Sequence, residues 1–213
     1  MWIKRISFYY DGVSFVHKLH PFGDAMAPSG KIWRTKKEGL TLTAKGKKEG
    51  YNGKSVRLFV AIAHNKGVIM VEQWDPETRF TGENYRKFVV KHFPKAFRKS
   101  ANPRNKLVLQ DGCPVQKSVQ AHLGYAEVGC KIFRIPARSP DLNPIENMFN
   151  EVRKKLSMQA RDNRIMDESY EEFQTRVFET IKATPIDYIN KTIESLHGRI
   201  GMVIRSKGKR IKY

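Results

Sequence analysis

At 213 residues the chain is long enough for one domain with a sizeable core, and its 40 Lys and Arg against 21 Asp and Glu leave a net charge of +19. An excess of that size points to a polyanionic partner, either nucleic acid or an anionic membrane surface. The longest apolar runs are short ones such as LFVAIA (58 to 63), which excludes a spanning helix of about 20 apolar residues.

MWIKRISFYY lacks the apolar core and cleavage site of a signal peptide, and Cys113 and Cys130 form neither a disulfide framework nor a metal-ligand spacing. A soluble intracellular protein in a reducing compartment is expected. WIKRISFYYDGVSFVHKL alternates apolar and polar residues on both sides of Asp11-Gly12, which predicts a hairpin of two strands turning near that glycine. Residues 21 to 54 are rich in Pro, Gly, Lys and Thr and read as a long functional insertion. SVRLFVAIA and GVIMVEQW form a second strand pair around His64-Asn65-Lys66-Gly67. Thr81 caps a helix through residues 82 to 97, whose Tyr85, Phe88, Val89, Phe93 and Phe97 share a face, with Pro94 at a kinking position. NKLVLQDG gives a strand, residues 117 to 127 a helix, and KIFRIP another strand, an order that argues for parallel pairing. A helix follows Pro144, and residues 167 to 197 hold two more, split around Pro185. The sum is a mixed sheet with helices on its faces.

Three carboxylates stand where this sheet meets loops: Asp11, Asp111 and Glu146. Sites in open α/β sheets form at the carboxyl ends of strands, which favours Asp111, and Asp11 joins it if the two strands are neighbours. Each acid also has a structural reading. Asp-Gly pairs form turns, and Asn143-Pro144-Ile145-Glu146 fits an N-cap with a capping box. The stripe Ile145, Met148, Phe149, Val152 and Leu156 leaves Glu146 about 100° from its centre, on the rim. Clustered acids raise one another's pKa, and divalent cations held by hard oxygen ligands are the usual reason for such a cluster.

QDGCP (110 to 114) followed by PARSPDLNPIEN (136 to 147), with 34 residues between Asp111 and Glu146, resembles the mariner-type superfamily of cut-and-paste DNA transposases. FYYDGVSF resembles that family's first-aspartate strand, TGENYRKF the helix after its fourth strand, and VIRSKGKRIKY its closing segment. The resemblance implies an α/β, ribonuclease-H-like mixed five-stranded sheet flanked by helices, with a long insertion after the first hairpin. It implies Asp11, Asp111 and Glu146 as a catalytic triad of acids binding two Mg²⁺ or Mn²⁺ ions. Hydrolysis at transposon ends and attack of the freed 3′-hydroxyl on target DNA would follow, in the nucleus of a eukaryotic host. The 21 to 54 insertion resembles the clamp loop through which two such subunits hold each other, so a homodimer is implied.

Two positions depart from the family pattern. Gly12 stands where Glu usually follows the first acid, and Gln116 stands in place of a His. Asp24 and Asp75 are rival first acids. The sequence starts directly at the first catalytic strand, without the family's N-terminal helix-turn-helix modules. Residues 1–213 therefore read as a single catalytic domain, with a catalytically impaired, domesticated or truncated DNA-binding and assembly module as the alternative. A junction resolvase of the same fold gives no account of SPDLNPIEN. Candidate DNA contacts are Lys31, Arg34, Lys36, Lys37, Lys45, Lys47 and Lys48 in the insertion, Arg138 beside the acidic loop, and Arg205, Lys207, Lys209, Arg210 and Lys212 at the tail. Trp33, amid WRTKK, is placed to stack on a base, against the commoner reading of a Trp packed in the core or against a partner subunit's loop.

Overall fold

Phe8–Lys18 (β1) runs as one uninterrupted strand in the computed structural model, which describes residues 5–18, 20–26, 51–136 and 139–208, the side chains of residues 24 and 51–53 excepted. The expected hairpin is therefore corrected. Asp11 pairs with Val60 and Gly12 with Phe59 in an antiparallel ladder to Tyr51–Ala63 (β2). The physical reason lies in the glycine: a Cβ at position 12 would stand 2.9 Å from Cε1 of Phe59. Asp11-Gly12 thus marks the close approach of a ring to the strand, a role glycine also plays in strand interiors, and the chain does not turn there.

The insertion is corrected at both ends. Pro21–Met26 is a short helix (α1) packed on the helix that begins at Pro144, and residues 51–54 already belong to β2. It follows a single strand rather than a hairpin, and residues 27–50 lie outside the described residues.

The second strand pair forms where expected. Gly67–Gln73 (β3) pairs antiparallel with β2, and the connection uses positive φ at Asn65 (58°) and Gly67 (73°). Gly82–Lys99 (α2) starts at Thr81, whose hydroxyl accepts the N–H of Asn84, and continues through Pro94. Because β1 is one strand, this helix follows the third strand and not the fourth. Leu107–Gln110 (β4), Val119–Glu127 (α3) and Lys131–Arg134 (β5) come next, β4 lying parallel to both β1 and β5. Pro144–Asp162 (α4), Tyr170–Lys182 (α5) and Ile186–Arg205 (α6) complete the chain.

The sheet order is β3-β2-β1-β4-β5, a mixed five-stranded sheet flanked by helices. Period-two alternation divides its side chains between two cores. Tyr9, Val13, Phe15, Val60 and Leu109 pack with α4, α5 and α6, while Phe8, Tyr10, Phe59 and Val108 pack with α2 and α3. The second core is dense in rings. Phe93 meets Phe8 edge-on at 5.4 Å and Tyr10 at 5.1 Å, geometries that add about 0.5–1.5 kcal/mol per pair beyond area burial.

Candidate active site

β1 and β4 are parallel neighbours, with Tyr10 opposite Gln110. The next residue on each is an acid, so Asp11 and Asp111 stand side by side where β4 ends. Strand parity decides the face. Tyr9, Val13 and Phe15 share the α4 side, and Leu109 shares it on β4, so Asp11 and Asp111 both turn toward α4. On α4 the stripe Ile145, Met148, Phe149, Val152 and Leu156 is buried as the sequence predicted, which rolls Glu146 to a half-buried rim position in the first turn.

Two of the acids, Asp11 and Glu146, feel the charge of their neighbours. Burial first, then the charges of Glu146 and Asp111, push Asp11 from its ordinary 3.8 up to about 7, against the lowering effect of hydrogen bonds from Gly12 and Asn143. Burial raises Glu146 as well, with Arg153 offsetting part of that and Asp111 adding to it. The two Asp-Gly steps are built alike: Gly12 N–H donates to Asp11 Oδ1 at 2.7 Å, and Gly112 N–H to Asp111 Oδ1 at 2.5 Å.

The other Asp11 oxygen, Oδ2, accepts from Nδ2 of Asn143 at 2.8 Å. This corrects the structural reading of the loop. Asn143 holds the N-cap position of α4 without a side-chain cap bond, so no capping box competes for Glu146. Its amide is spent across the site because the residue is buried against the sheet, with 1 % of its surface exposed. Asn143 Oδ1 is buried and has no hydrogen-bond partner among the described residues, so nothing among them compensates its desolvation.

The donor set suits a hard divalent cation: three carboxylates and an amide oxygen, in mutual repulsion that a positive ion relieves. Among the described residues, no three His, Cys, Asp or Glu side chains stand close enough together to hold an ion as they are placed. The fit is thus one of chemistry and position.

Two neighbours were not foreseen from the sequence. Lys117 lies across Gly112, its Nζ 3.0 Å from where a Cβ would stand, which brings an ammonium to the residue after Asp111. Arg199, buried in α6, donates from Nη1 to the carbonyl of Asp141 at 2.8 Å and from Nη2 to Ser195 Oγ and the Thr192 carbonyl, each at 2.7 Å. It fastens the 3-10 turn Pro140–Leu142, and through it the residues leading to Asn143, to the last helix. The available signal was its phase: Arg199 continues the buried row Ile189, Thr192, Ile193 and Leu196.

The remaining candidates fall apart from the acids or outside the described residues. Asp75 is an exposed turn residue, Oδ1 accepting from Glu77 N–H and Oδ2 from the Thr78 hydroxyl. Asp24 lies in α1 with its side chain outside the description. Lys31, Trp33, Arg34, Lys36, Lys37, Lys45, Lys47, Lys48, Arg138, Lys209, Arg210 and Lys212 are likewise outside it. Arg205 and Lys207 are exposed at the end of α6. Gln116 is buried, and its backbone carbonyl accepts from the Tyr125 hydroxyl at 3.4 Å.

The family model of the DDE superfamily endonucleases matches residues 21–167. This chain belongs to that superfamily. The match spans Asp111 and Glu146 and begins after Asp11, whose place beside them rests on the β1–β4 ladder. The DDE domain is similar to the Tc1 transposase of Caenorhabditis elegans, 29 % identical over 104 residues, which is 49 % of this chain and 36 % of that protein. It therefore spans little more than a third of that relative. The catalytic domain of Mos1 mariner transposase superposes with a TM-score of 0.67 at 18 % identity, covering 99 % of this chain and 86 % of the other. The same domain described with Raltegravir and Mn gives 0.66 at 18 %, covering 99 % and 86 %. A pre-cleavage Mos1 transpososome gives 0.72 at 20 %, covering 99 % of this chain and 58 % of that one. The fold is the ribonuclease-H-like fold of these catalytic domains.

Proposed function

We propose that this chain is the catalytic domain of a DNA transposase that hydrolyses phosphodiester bonds at transposon ends and joins the freed 3′ ends to target DNA. One observation carries the reading. Asp11 within β1 and Asp111 just past the end of the parallel neighbour β4 lie on the face where α4 presents Glu146, and the neighbouring acids raise the proton affinity of Asp11 and of Glu146. The Tc1 similarity and the Mos1 structures, described with Mn or with Mg, support it.

Asp11, Asp111 and Glu146 would hold two divalent ions, which when bound activate water and neutralise charge on the leaving oxygen. The chain's own residues prepare that site. Gly12 N–H and Asn143 Nδ2 grip the two oxygens of Asp11 and fix its plane. Asn143 Oδ1, without a partner among the described residues, is a lone-pair donor free to accept from a water or to face a cation. Lys117 stands beside Asp111 as a point charge suited to a phosphate oxygen. Arg199 keeps the loop carrying Asn143 in place. DNA is the substrate in this reading, a second copy of the chain the partner, and the nucleus the compartment.

The test is Mn²⁺ binding to the purified chain, followed by nicking of duplex DNA in Mn²⁺. Asp111→Asn should weaken Mn²⁺ binding at least tenfold and abolish nicking. Equal Mn²⁺ affinity in parent and variant would remove the assignment.

A further inference from the structure

We propose that the outward face of α2 is a sequence-independent docking strip for duplex DNA, distinct from the carboxylates. Its exposed cations are Lys87, Lys91, Lys95, Arg98 and Lys99. At 3.6 residues per turn and 1.5 Å per residue they occupy an arc of about 120° along about 18 Å of helix. The strip cannot turn inward, because Tyr85, Phe88, Val89, Phe93, Ala96 and Phe97 anchor the opposite side in the ring-rich core.

Neutralisation from within the protein is slight. Lys87 pairs with Glu83 at 3.1 Å, both exposed. Among the described residues, Lys91, Lys95, Arg98 and Lys99 have no ion pair, and Glu72 on β3 is turned to His92 at 3.2 Å. The spacing works against the helix itself. Positions 87/91, 91/95 and 95/99 are like-charge i, i+4 pairs, each destabilising by about 0.2–0.5 kcal/mol. The helix macrodipole favours Arg98 and Lys99 in the last turn but does nothing for Lys91 and Lys95. A face that only needed solvating would mix signs, as α5 does with Glu171, Glu172 and Glu179 against Lys182.

A phosphate backbone supplies the missing charge. Duplex DNA carries one negative charge per about 1.7 Å of axis, so the strip matches about five base pairs. A lipid surface fits less well, since interfacial helices insert an apolar face and that of α2 is already committed to the core. Placement also favours DNA. Gly82, the first residue of α2, packs against the Ser118 hydroxyl, and Lys117 next to it lies over Gly112. The helix that carries the strip therefore starts at the acidic edge and leads away from it, where a duplex running out of the site would continue. Lysines acting as point charges position the backbone and read no bases.

The choice of DNA as the polyanion rests on the proposed function; the cationic strip does not. The test uses the full chain in EDTA, which makes it independent of the acids. Binding of a 20-base-pair duplex of arbitrary sequence is followed by fluorescence anisotropy over a salt series. For K91Q/K95Q/R98Q/K99Q we expect at least tenfold weaker binding at low salt, and a log K against log salt slope shallower by about 3.6 units if all four contacts are lost, near 0.9 per contact. K154Q/R161Q/K182Q/K191Q, which removes equal charge from α4, α5 and α6, should change the slope by less than one unit. Equal losses in the two variants, no loss in the first, or binding of anionic phospholipid vesicles but not duplex through these four residues would each overturn the proposal. Circular dichroism melts of both variants check that they fold.

Discussion

Asn143 Nδ2 donates to Asp11 Oδ2 across 2.8 Å, joining the loop that starts α4 to the central strand of the sheet. The bond ties the first acid to the element that carries the third, 135 residues later in sequence, so the two cannot drift independently. Asn143→Ala removes one of the two donors that favour ionised Asp11, and hydrogen bonds to charged groups contribute about 1.5–3 kcal/mol. Mn²⁺ affinity at neutral pH should fall about tenfold, read by isothermal titration, with the far-UV spectrum unchanged.

The raised Asp11 pKa has a definite consequence for stability without metal. The folded group titrates near 7 against an ordinary 3.8. Its stabilising neutral form is fully present below 3.8, and the contribution is lost as pH rises through 7, because the native state binds the extra proton over that window. Asp11→Asn, which keeps the shape and stays neutral, should stabilise the metal-free protein at pH 8 by about 1–2 kcal/mol, allowing for partial exposure, and by nearly nothing at pH 3.5. Urea melts at the two pH values measure the difference. In the parent, Mn²⁺ should raise the melting temperature more at pH 8 than at pH 6, since ion and proton compete for the same oxygens.

Arg199 offers a test of the loop anchor. Arg199→Met keeps much of the apolar stem and removes the donors to the Asp141 and Thr192 carbonyls. A buried acceptor left unpaired costs about 1–3 kcal/mol, so a total loss of about 2–4 kcal/mol is expected by chemical denaturation. Hydrogen exchange should quicken at residues 140–143.

Gly12 is held to its size by Phe59. Gly12→Ala must displace a ring that stacks on Tyr10 at 5.5 Å and tilts against Phe88 at 4.9 Å, and overpacking of that kind costs about 1–3 kcal/mol. In the Phe59→Leu background the same change should cost less than half as much, a coupling that a double-mutant cycle would read.

The sequence was most legible where one interaction dominated. The stripes of α2 and α4, the Thr81 cap and the strand order after residue 107 follow from periodicity and local capping, and the structure repeats them. It misled at Asp11-Gly12, where the pair common in turns sits in a continuous strand because of a ring 47 residues away, a long-range cause invisible to local patterning. Asn143 was read as a cap for the same reason: its sequence context fits one, and only the fold reveals a carboxylate within reach. Asp111 was legible as a strand-end residue and Glu146 as a helix-start residue, while the place of Asp11 beside them needed the β1–β4 ladder. Lys117 and Arg199 carry no local signature beyond their charge and, for Arg199, its phase.

The guanidinium of Arg199 reaches the loop from 58 residues beyond Asp141. During synthesis every acid has therefore left the ribosome well before the residue that steadies the loop between two of them. A nascent polypeptide carries the full set of carboxylates without their brace, so the loop is steadied only once α6 has emerged and docked.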